Sequence, residues 1–495
     1  MDSLIEMMLW SWASDGSQLQ LQTADRGALS RAQVESETRL LANHLMDVGI
    51  GPGDRVLLLA DPSFAYLRIC IATLRVGAVA VLVNPAYTER ELRHAVVVSR
   101  PTAFYCASEP VSELLEMLGS VGVNLGGFDG PGSALPSTLR PMFRIASGSV
   151  STSDHRIDNA LPDDAAVVLF TSGTTGLPKG ALLSHRNLGT NIAALAEAWQ
   201  WGDHDRLLLS LPVFHMHGFG IGVCGSLALG AFFSLLPSFD PIRIAGSIED
   251  EQFSAFFGVP TMYQRLADSG RCDSLSKLRL VVSGSAPMSE HLHRELKEAT
   301  GQYVLERYGM TETAMITSNP LNGERIPGTV GGALPSVEVE LDVETGEIKV
   351  KGPSLFQGYL GDATATSAAF DGEGWFRSGD AGIWQDQDHL RISGRLKDLI
   401  ITGGFNVFPG EVEAVLRDFS GVSEAAVVGA ESDAWGEEVV AFVKGIRGDE
   451  TAILDHLRRN LVNYKVPKRL IFVDSIPRNA LGKVLYQQLR ESLKG

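Results

Sequence analysis

The sequence predicts an α/β fold in two domains. Apolar, strand-like runs alternate with amphipathic helical stretches as far as Gly394-Arg395, which is typical of parallel α/β layers. At 495 residues, the chain is also too long for one compact core. After Gly394-Arg395 the pattern restarts over roughly 100 residues, enough for a small α+β domain. We therefore expect a large domain over residues 1–396 and a small domain over residues 397–495.

The elements of the large domain follow from local patterns. Three short apolar runs, residues 55–60, 78–83 and 278–282, are typical of buried strands. Residues 347–351 alternate between apolar and charged side chains, as a half-buried antiparallel strand does. Residues 122–153 are rich in glycine, serine and proline, which indicates a loop or a linker between subdomains.

One stretch of the large domain resembles a membrane span. Residues 218–239 contain no charged side chain and are long enough to cross a bilayer. They also contain five glycines and lack flanking basic anchors. A buried helix and strand is therefore the better interpretation.

The small domain has its own sequence of elements. Gly403-Gly404 indicates a turn, a helix begins near Pro409, a strand covers residues 425–428, and another helix begins near Glu450. This order is consistent with an α+β unit that has its own core.

Composition excludes several classes of function. The formal net charge of -17 argues against general binding to nucleic acid or to anionic membranes. The four cysteines are widely spaced and form no C-x-x-C pair, so we expect a reducing, cytoplasmic compartment and no structural zinc site. The acidic N-terminus is unlike a signal peptide, and we expect no transmembrane segment.

The segment TSGTTGLPKG, residues 171–180, is the most informative part of the chain. It directly follows a strand-like run and combines glycines and hydroxyl groups with one lysine. Glycine-rich backbone leaves N–H groups free to face an anion, and a lysine adds a point charge for phosphate. It is not a Walker A loop, because Lys179 stands between Pro178 and Gly180. We interpret it as a phosphate-binding loop.

Four further motifs accompany this loop. They are RYGMTE (residues 307–312), WFRSGD (375–380), GRLKD (394–398) and PRNALGK (477–483). Together with the loop, and in this order, they resemble the adenylate-forming superfamily of acyl-CoA synthetases, carrier-protein adenylation domains and luciferases. The resemblance covers nearly the whole chain. It implies a β-barrel-like subdomain within the large domain and a mobile small domain.

The resemblance assigns the nucleotide site. Lysine and hydroxyl groups of the loop suit the β- and γ-phosphates of ATP, and Asp380 can accept both ribose hydroxyls, with Arg395 in the same region. By resemblance, Glu312 holds Mg²⁺, which prefers oxygen ligands, and Thr311 contacts the α-phosphate. The other predicted nucleotide-binding residues are Thr171, Ser172, Gly173, Thr174, Thr175, Lys179, Ser285, Ala286, Pro287, Glu306 and Tyr308.

The resemblance also assigns residues of the small domain. Lys483 contacts the acyl carboxylate and the α-phosphate during adenylation, and it leaves afterwards by rotation at a hinge, here Lys397. The thiol of coenzyme A then enters along a tunnel lined by Gly403 and Gly404. Hinge residues absorb large φ/ψ changes and need not be glycine.

Three residues are predicted to form the acyl pocket: His215, Arg307 and Met310. His215 and His217 stand at strand spacing on one face, and a metal site there is unsupported because no third ligand is near in sequence. Arg307 immediately precedes Tyr308-Gly309, expected as a turn that backs the pocket. An arginine facing the pocket suggests a substrate with a second carboxylate. The alternative is an Arg307 paired with Glu306 or another acid outside the pocket.

These residues are most similar to those of malonyl-CoA synthetases. The resemblance implies an ATP- and Mg²⁺-dependent ligase that forms an acyl-AMP and then an acyl-CoA, with malonate or methylmalonate as the acid. Alternatives are a ligase for a monocarboxylic acid or for oxalate, and an adenylation enzyme that loads a carrier-protein thiol. A non-catalytic adenylate-binding protein is a further alternative of a different class.

Overall fold

The computed structural model describes residues 3–106, 154–171, 177–432, 434–445, 450–478 and 484–493. The loop or linker predicted over residues 122–153 lies outside them. So do the site residues Ser172, Gly173, Thr174, Thr175 and Lys483.

The described strands are, in chain order, β1 (Leu19–Thr23), β2 (Gly27–Ser30), β3 (Arg55–Leu59), β4 (Val79–Leu82), β5 (Ala103–Cys106), β6 (Ala165–Thr171), β7 (Lys179–Ser184), β8 (Arg206–Leu209), β9 (Phe232–Leu235), β10 (Ala255–Gly258), β11 (Leu280–Ser283), β12 (Leu305–Met310), β13 (Ala314–Ser318), β14 (Gly332–Ala333), β15 (Glu338–Leu341), β16 (Glu347–Lys351), β17 (Gly358–Tyr359), β18 (Phe376–Trp384), β19 (Leu390–Arg395), β20 (Ile400–Thr402), β21 (Phe405–Val407), β22 (Val422–Ser432), β23 (Gly436–Gly445) and β24 (Arg469–Phe472).

The described α-helices are α1 (Leu4–Ser14), α2 (Arg31–Asp47), α3 (Phe64–Arg75), α4 (Glu89–Ser99), α5 (His185–Trp199), α6 (Cys224–Leu229), α7 (Pro241–Asp250), α8 (Pro260–Asp268), α9 (Glu290–Thr300), α10 (Ala363–Ala368), α11 (Pro409–Arg417), α12 (Glu450–Asn460) and α13 (Tyr486–Glu491). A π-helix (Met216–Val223) precedes α6, and three 3₁₀ helices cover Cys272–Lys277, Leu396–Asp398 and Asn463–Lys465.

Two large sheets form the main body of the large domain. One has six strands in the order β17-β7-β6-β4-β3-β5, and the other has nine in the order β14-β13-β12-β11-β10-β8-β9-β1-β2. Strands β3 to β6 pair in parallel, as do β8, β10, β11 and β12. Buried side chains from both sheets and from α1, α2, α3 and α5 belong to one core. The predicted α/β layers are therefore confirmed.

The first sheet holds the ends of the phosphate loop. Parallel β6 runs to Thr171, and the chain returns antiparallel as β7 from Lys179, with these two residues paired. The central strand β4 is fully buried because β-branched and leucine side chains cover both of its faces. The loop therefore follows a rigid strand.

The second sheet brings β10, β11 and β12 to the same edge. Gly258 and Ser283, the last residues of β10 and β11, pair with each other, and Glu306, near the start of β12, pairs with Ser283. The chain turns from β12 into antiparallel β13, with a bulge between Tyr308 and Gly309. The expected turn at Tyr308-Gly309 is thus wrong, since both residues belong to β12.

The buried stretch at residues 218–239 is a helix followed by a strand, as predicted. The π-helix, α6 and β9 are almost entirely buried. In the described part of the chain, no helix combines the length and the apolar composition needed to cross a membrane. The strand spacing expected for His215 and His217 is wrong, because β8 ends at Leu209 and His215 caps the π-helix that contains His217.

Two smaller sheets complete the described fold. The antiparallel sheet β15-β16-β18-β19 is the subdomain expected to be barrel-like, and β16 confirms the antiparallel strand predicted at residues 347–351. The small domain has the order β21-β20-β23-β22 with β24 on β23, and its helices cover two separate cores. The boundary expected after residue 396 falls within the 3₁₀ helix Leu396–Asp398 and stays a prediction.

Candidate active site

Both ends of the phosphate loop are fixed by hydrogen bonds. The Thr171 hydroxyl donates to the Lys179 carbonyl oxygen at 3.5 Å across the β6–β7 pair. His94 on α4 contacts the carbonyl oxygen of Pro178 through Nε2 at 2.9 Å. The Lys179 ammonium lies 4.8 Å from the ring centroid of Tyr359. Of the loop residues predicted to bind phosphate, Thr171 and Lys179 belong to the part of the chain that the structure describes.

The Glu312 carboxylate and the Lys179 ammonium both contact Tyr359. Glu312 lies in the turn between β12 and β13, and its Oε1 accepts a hydrogen bond of 2.9 Å from the Tyr359 hydroxyl. Burial and the nearby Glu312 charge raise the pKa of Tyr359, so that hydroxyl remains a donor. Thr311, in the same turn, is buried.

Glu312 could bind a magnesium ion whose other ligands are mostly substrate phosphates and waters. No cluster of three or more histidine, cysteine, aspartate or glutamate side chains able to hold a metal occurs among the described residues. Mg²⁺ commonly binds through one or two carboxylates, substrate phosphates and waters. A single buried carboxylate beside Lys179 suits that kind of binding.

The predicted ribose site is assembled from three strands. Asp380 on β18 accepts from the Tyr308 hydroxyl at 2.7 Å and from Arg395 Nε at 2.8 Å. Asp380 and Arg395 are cross-strand partners, and Tyr308 reaches them from β12. The structure therefore brings together three residues separated by up to 87 positions in the sequence, from Tyr308 to Arg395.

The predicted nucleotide-binding residues Ser285, Ala286 and Pro287 form a loop that follows β11. Ser285, Ala286 and Pro287 are exposed, and Ser285 has a φ of +69°, which is rare for a residue with a side chain. The Glu306 carboxylate anchors this loop: it accepts from Met288 N at 3.0 Å and from His293 Nε2 at 2.7 Å. The predicted nucleotide contact of the Glu306 side chain is not supported, because the carboxylate is buried and already engaged.

Arg307 is buried, and no acidic side chain among the residues that the structure describes pairs with it. Its side chain is 3% exposed, and Nε and Nη2 have no hydrogen-bond partner among the described residues. Glu306 pairs with His293 instead, so the alternative of an Arg307–Glu306 pair is wrong. Burial lowers the pKa of Arg307 to about 9, which leaves the guanidinium charged at neutral pH.

His217 lies near this guanidinium and was not among the predicted site residues. It is 2% exposed, stacks on Phe257 with a centroid distance of 6.0 Å, and neither ring nitrogen has a partner in the described part of the chain. Burial, with the charges of Arg307 and His215, holds its pKa well below 6.5, so the ring is neutral. His215 is half-buried at the start of the π-helix, and Met310 ends β12.

The site residues of the small domain lie near its first elements. Lys397 is exposed in the 3₁₀ helix, and its neighbour Asp398 pairs with Arg490 at 3.0 Å. Gly403 and Gly404 connect β20 and β21 with φ values of +56° and +82°. Two successive positive φ values define the tight hairpin turn that favours glycine.

Comparison with known proteins identifies the family of the chain. Residues 13–360 match the family model described as AMP-binding enzyme, and residues 411–483 match the AMP-binding enzyme C-terminal domain. The chain belongs to the AMP-binding enzyme family. Within that family it is an acyl-CoA ligase, as the relatives below indicate, and the predicted resemblance and fold class are confirmed.

The relatives act on different acids. A Mycobacterium tuberculosis ligase named for a methyl-dioxo-octahydroindenyl propanoyl group is 35% identical over 475 residues, covering 90% of each protein. The mitochondrial malonate–CoA ligase of Mus musculus is 32% identical over 488 residues, covering 89% of this chain and 82% of the relative. The crystal structure of ATP-bound MatB from Rhodopseudomonas palustris has a TM-score of 0.90 at 37% identity, covering 100% of this chain and 99% of that one.

Proposed function

We propose that the protein is an ATP- and Mg²⁺-dependent ligase that joins malonate, or methylmalonate, to coenzyme A. The observation that carries the proposal is the buried guanidinium of Arg307, which has no acidic partner among the described residues. The names of the relatives do not decide the acid, because a malonate ligase and a ligase for a bulky monoacid are about equally similar.

A buried, unpaired charge has to be explained. Leaving one charge of a pair unmatched in a protein interior costs about 3–5 kcal/mol. A substrate carboxylate would remove that cost, and the planar guanidinium can bind it through two parallel hydrogen bonds. The neutral ring of His217 adds a donor close by. A ligase for an apolar acid would gain nothing from either group.

The distal carboxylate of the acid is thus held by Arg307, and the proximal one is left free to react. One of its oxygens attacks the α-phosphorus of ATP, a new P–O bond forms, and the bond to the β-phosphate breaks to release pyrophosphate. The sulfur of coenzyme A then attacks the acyl carbon of the acyl-AMP. The C–O bond to AMP breaks, the thiol proton passes to solvent, and the thioester is released.

The residues of the nucleotide site position these steps. Lys179 and the loop hydroxyls neutralise the leaving phosphates, and Thr311 faces the α-phosphate. The hydroxyls of the ribose bind Asp380, which Tyr308 and Arg395 hold in place. Glu312 would hold Mg²⁺, which supplies charge neutralisation at the phosphates. Catalysis of this kind consists mainly of positioning and charge stabilisation.

Residues of the small domain complete the proposal. Lys483 would contact the reacting carboxylate and the α-phosphate during adenylation. Rotation at Lys397 would then withdraw it and present the Gly403-Gly404 turn to the incoming thiol. These roles come from the family resemblance, and the described fold of the small domain is compatible with them.

The test is acid-dependent release of pyrophosphate with ATP, Mg²⁺ and coenzyme A. The acids are malonate, methylmalonate, succinate, oxalate, acetate, butyrate, octanoate and benzoate. We expect malonate or methylmalonate to give the highest kcat/KM. A preference for a monocarboxylic acid or for oxalate would contradict the assigned acid. Activity that requires a phosphopantetheinylated carrier protein in place of coenzyme A would contradict the assigned thiol.

A further inference from the structure

The guanidinium of Arg307 lies directly against the backbone of Gly284. Ser283 and Glu306 are the last paired residues of parallel β11 and β12, so Gly284 and Arg307 are the next residues along these two strand ends. A Cβ atom on Gly284 would stand 2.4 Å from Cζ, 2.6 Å from Nε and 2.7 Å from Nη1 of Arg307. Non-bonded heavy atoms normally stay about 3.5 Å apart. The guanidinium thus fills the space that any other residue would need for its side chain.

The side chain of Arg307 is the nearest obstacle to a side chain at position 284. The three atoms nearest to the Cβ position all belong to Arg307, and the φ of Gly284 is not positive. Gly309 differs, because its Cβ would stand 2.1 Å from the carbonyl oxygen of Ala314 and would collide with the backbone. The nearest atoms to an alanine Cβ at 284 belong to the end of a long side chain and not to backbone, so the substitution should displace the guanidinium and leave the fold intact.

We propose that Gly284 is a specificity-determining position for dicarboxylic acids. Its missing side chain lets the guanidinium cross the end of β11 and enter the buried region that also contains His217 and Tyr263, whose ionisation the Arg307 charge affects. This inference rests on the proposed function and deepens it, since it names the backbone feature that gives Arg307 its place. Gly284 acts through Arg307 and is therefore a positioning residue.

The first test is Gly284→Ala in the full chain. We expect kcat/KM for malonate to fall roughly 100-fold, the effect of losing a charge-assisted contact, while kcat/KM for butyrate changes less than about threefold. Gly372→Ala is the matched control, because Gly372 has no positive φ and its Cβ would meet no atom within 4 Å. That control should leave both acids unchanged.

The second test repeats the substitution without the guanidinium. In an Arg307→Leu background, Gly284→Ala should change neither kcat/KM value and should not shift the thermal midpoint, since the conflicting atoms are gone. Malonate should also raise the thermal midpoint of the wild-type protein but not that of Gly284→Ala, because a ligand stabilises only the form that binds it.

Failure of the proposed function and failure of the role of Gly284 give different results. If the wild-type protein shows no preference for malonate over butyrate, the proposed function fails before Gly284 is considered. If the wild-type protein prefers malonate and Arg307→Leu abolishes that preference, but Gly284→Ala retains it, the role of Gly284 is overturned. The role of Gly284 would also be overturned if Gly284→Ala lowered malonate activity as much in the Arg307→Leu background as it does in the wild-type protein.

Discussion

Tyr359 is shared by the two charged groups of the phosphate site. Its ring faces the Lys179 ammonium at 4.8 Å, and its hydroxyl donates to Glu312 at 2.9 Å. A ring between a cation and a carboxylate keeps the two from pairing directly. Tyr359 therefore contacts both of the groups proposed to bind phosphate and metal.

Replacing Tyr359 by Phe should weaken the binding of Mg²⁺ more than the binding of ATP. The hydroxyl bond to Glu312 is lost, but the ring under Lys179 remains. Loss of a group that orients a metal ligand typically weakens metal affinity by about 10- to 100-fold. We expect a rise of that size in the Mg²⁺ concentration for half-maximal pyrophosphate release, and weaker binding of MnATP by electron paramagnetic resonance.

Tyr308→Phe is the control for this effect. It removes the corresponding hydroxyl bond to Asp380, so it should raise the KM for ATP without changing the Mg²⁺ requirement. An unchanged Mg²⁺ requirement in Tyr359→Phe would show that the hydroxyl does not orient Glu312.

Sequence alone could identify some of these residues. Arg307 was identifiable because it is a charged residue inside a motif that resembles a known pocket segment. His217 and Tyr359 were not, because their significance depends on burial and on partners that are distant in sequence. Glu306, which directly precedes the RYGMTE motif, was assigned to the nucleotide, and the contacts of its carboxylate with Met288 and His293 were not predictable from the sequence.

At the level of elements, two local predictions failed for related reasons. The segment around His215 looked like a strand, but its glycines permit a π-helix, a rare form that often occurs at functional sites. The pair Tyr308-Gly309 looked like a turn, but tertiary pairing with β13 incorporates it as a bulge. In both places tertiary packing outweighs local preference.

The 3₁₀ helix Leu396–Asp398, which contains the predicted hinge residue Lys397, forms an ion pair with the last described helix. Asp398 is buried, and its Oδ1 accepts from Arg490 Nη2 on α13 at 3.0 Å. Tyr486 on the same helix donates to the buried Glu413 on α11 at 3.0 Å. These contacts fix α13, which follows the motif containing Lys483, to the hinge and to the core of the small domain.

Arg490→Ala should therefore loosen the hinge region. Removing the arginine leaves a buried carboxylate without this partner, at a cost of about 1–3 kcal/mol. We expect a lower thermal midpoint and a turnover number reduced roughly tenfold, with little change in the KM for the acid. Activity assays and calorimetry would measure both.

Arg458→Ala provides the comparison within the same domain. Arg458 forms an exposed pair with Asp455 at 2.9 Å, and such pairs contribute little. Adding Asp398→Asn to Arg490→Ala should recover stability, since the unpaired charge disappears. If Arg490→Ala changed the thermal midpoint and the turnover number no more than Arg458→Ala does, the Asp398–Arg490 ion pair would have no role near the hinge.

For the whole molecule, the sequence predicted the class of fold and the order of its parts. The alternation of strands and helices predicted parallel layers because buried parallel strands have continuous apolar runs. The pairing of distant strands, such as β1 beside β9, was not predictable, because local patterns carry no information about which strands meet. The pairing of β10, β11 and β12, which places Arg307 against Gly284, is of this kind.

The stability of the whole fold should depend on one fully buried histidine. His185 begins α5 with 0% exposure, and both ring nitrogens lack partners in the part of the chain that the structure describes. Burial lowers its pKa to about 4, against the opposing charges of Asp164 and Glu6. The unfolded chain takes up a proton below about pH 6.5, whereas the folded protein does so only near pH 4.

This difference makes the protein less stable as the pH falls. The contribution of His185 is complete above about pH 6.5 and is lost progressively down to about pH 4, to a total of roughly 3 kcal/mol. His185→Asn should therefore flatten the fall in the free energy of unfolding over that range, measured by chemical denaturation at several pH values. The control His291→Asn changes an exposed histidine and should leave the slope unchanged. An equal slope in His185→Asn and the wild-type protein would contradict the explanation.

The central claim is that a buried arginine selects a dicarboxylic acid, and Arg307→Ala tests it most directly. The measurement is kcat/KM for malonate and for butyrate, by pyrophosphate release, in the wild-type protein and in the variant. Malonate should lose about 2–4 orders of magnitude because a bidentate charged contact disappears. Butyrate should be unchanged or improved, because an unpaired charge is removed from the pocket. An equal loss on both acids, or an undiminished preference for malonate in the variant, would contradict the account.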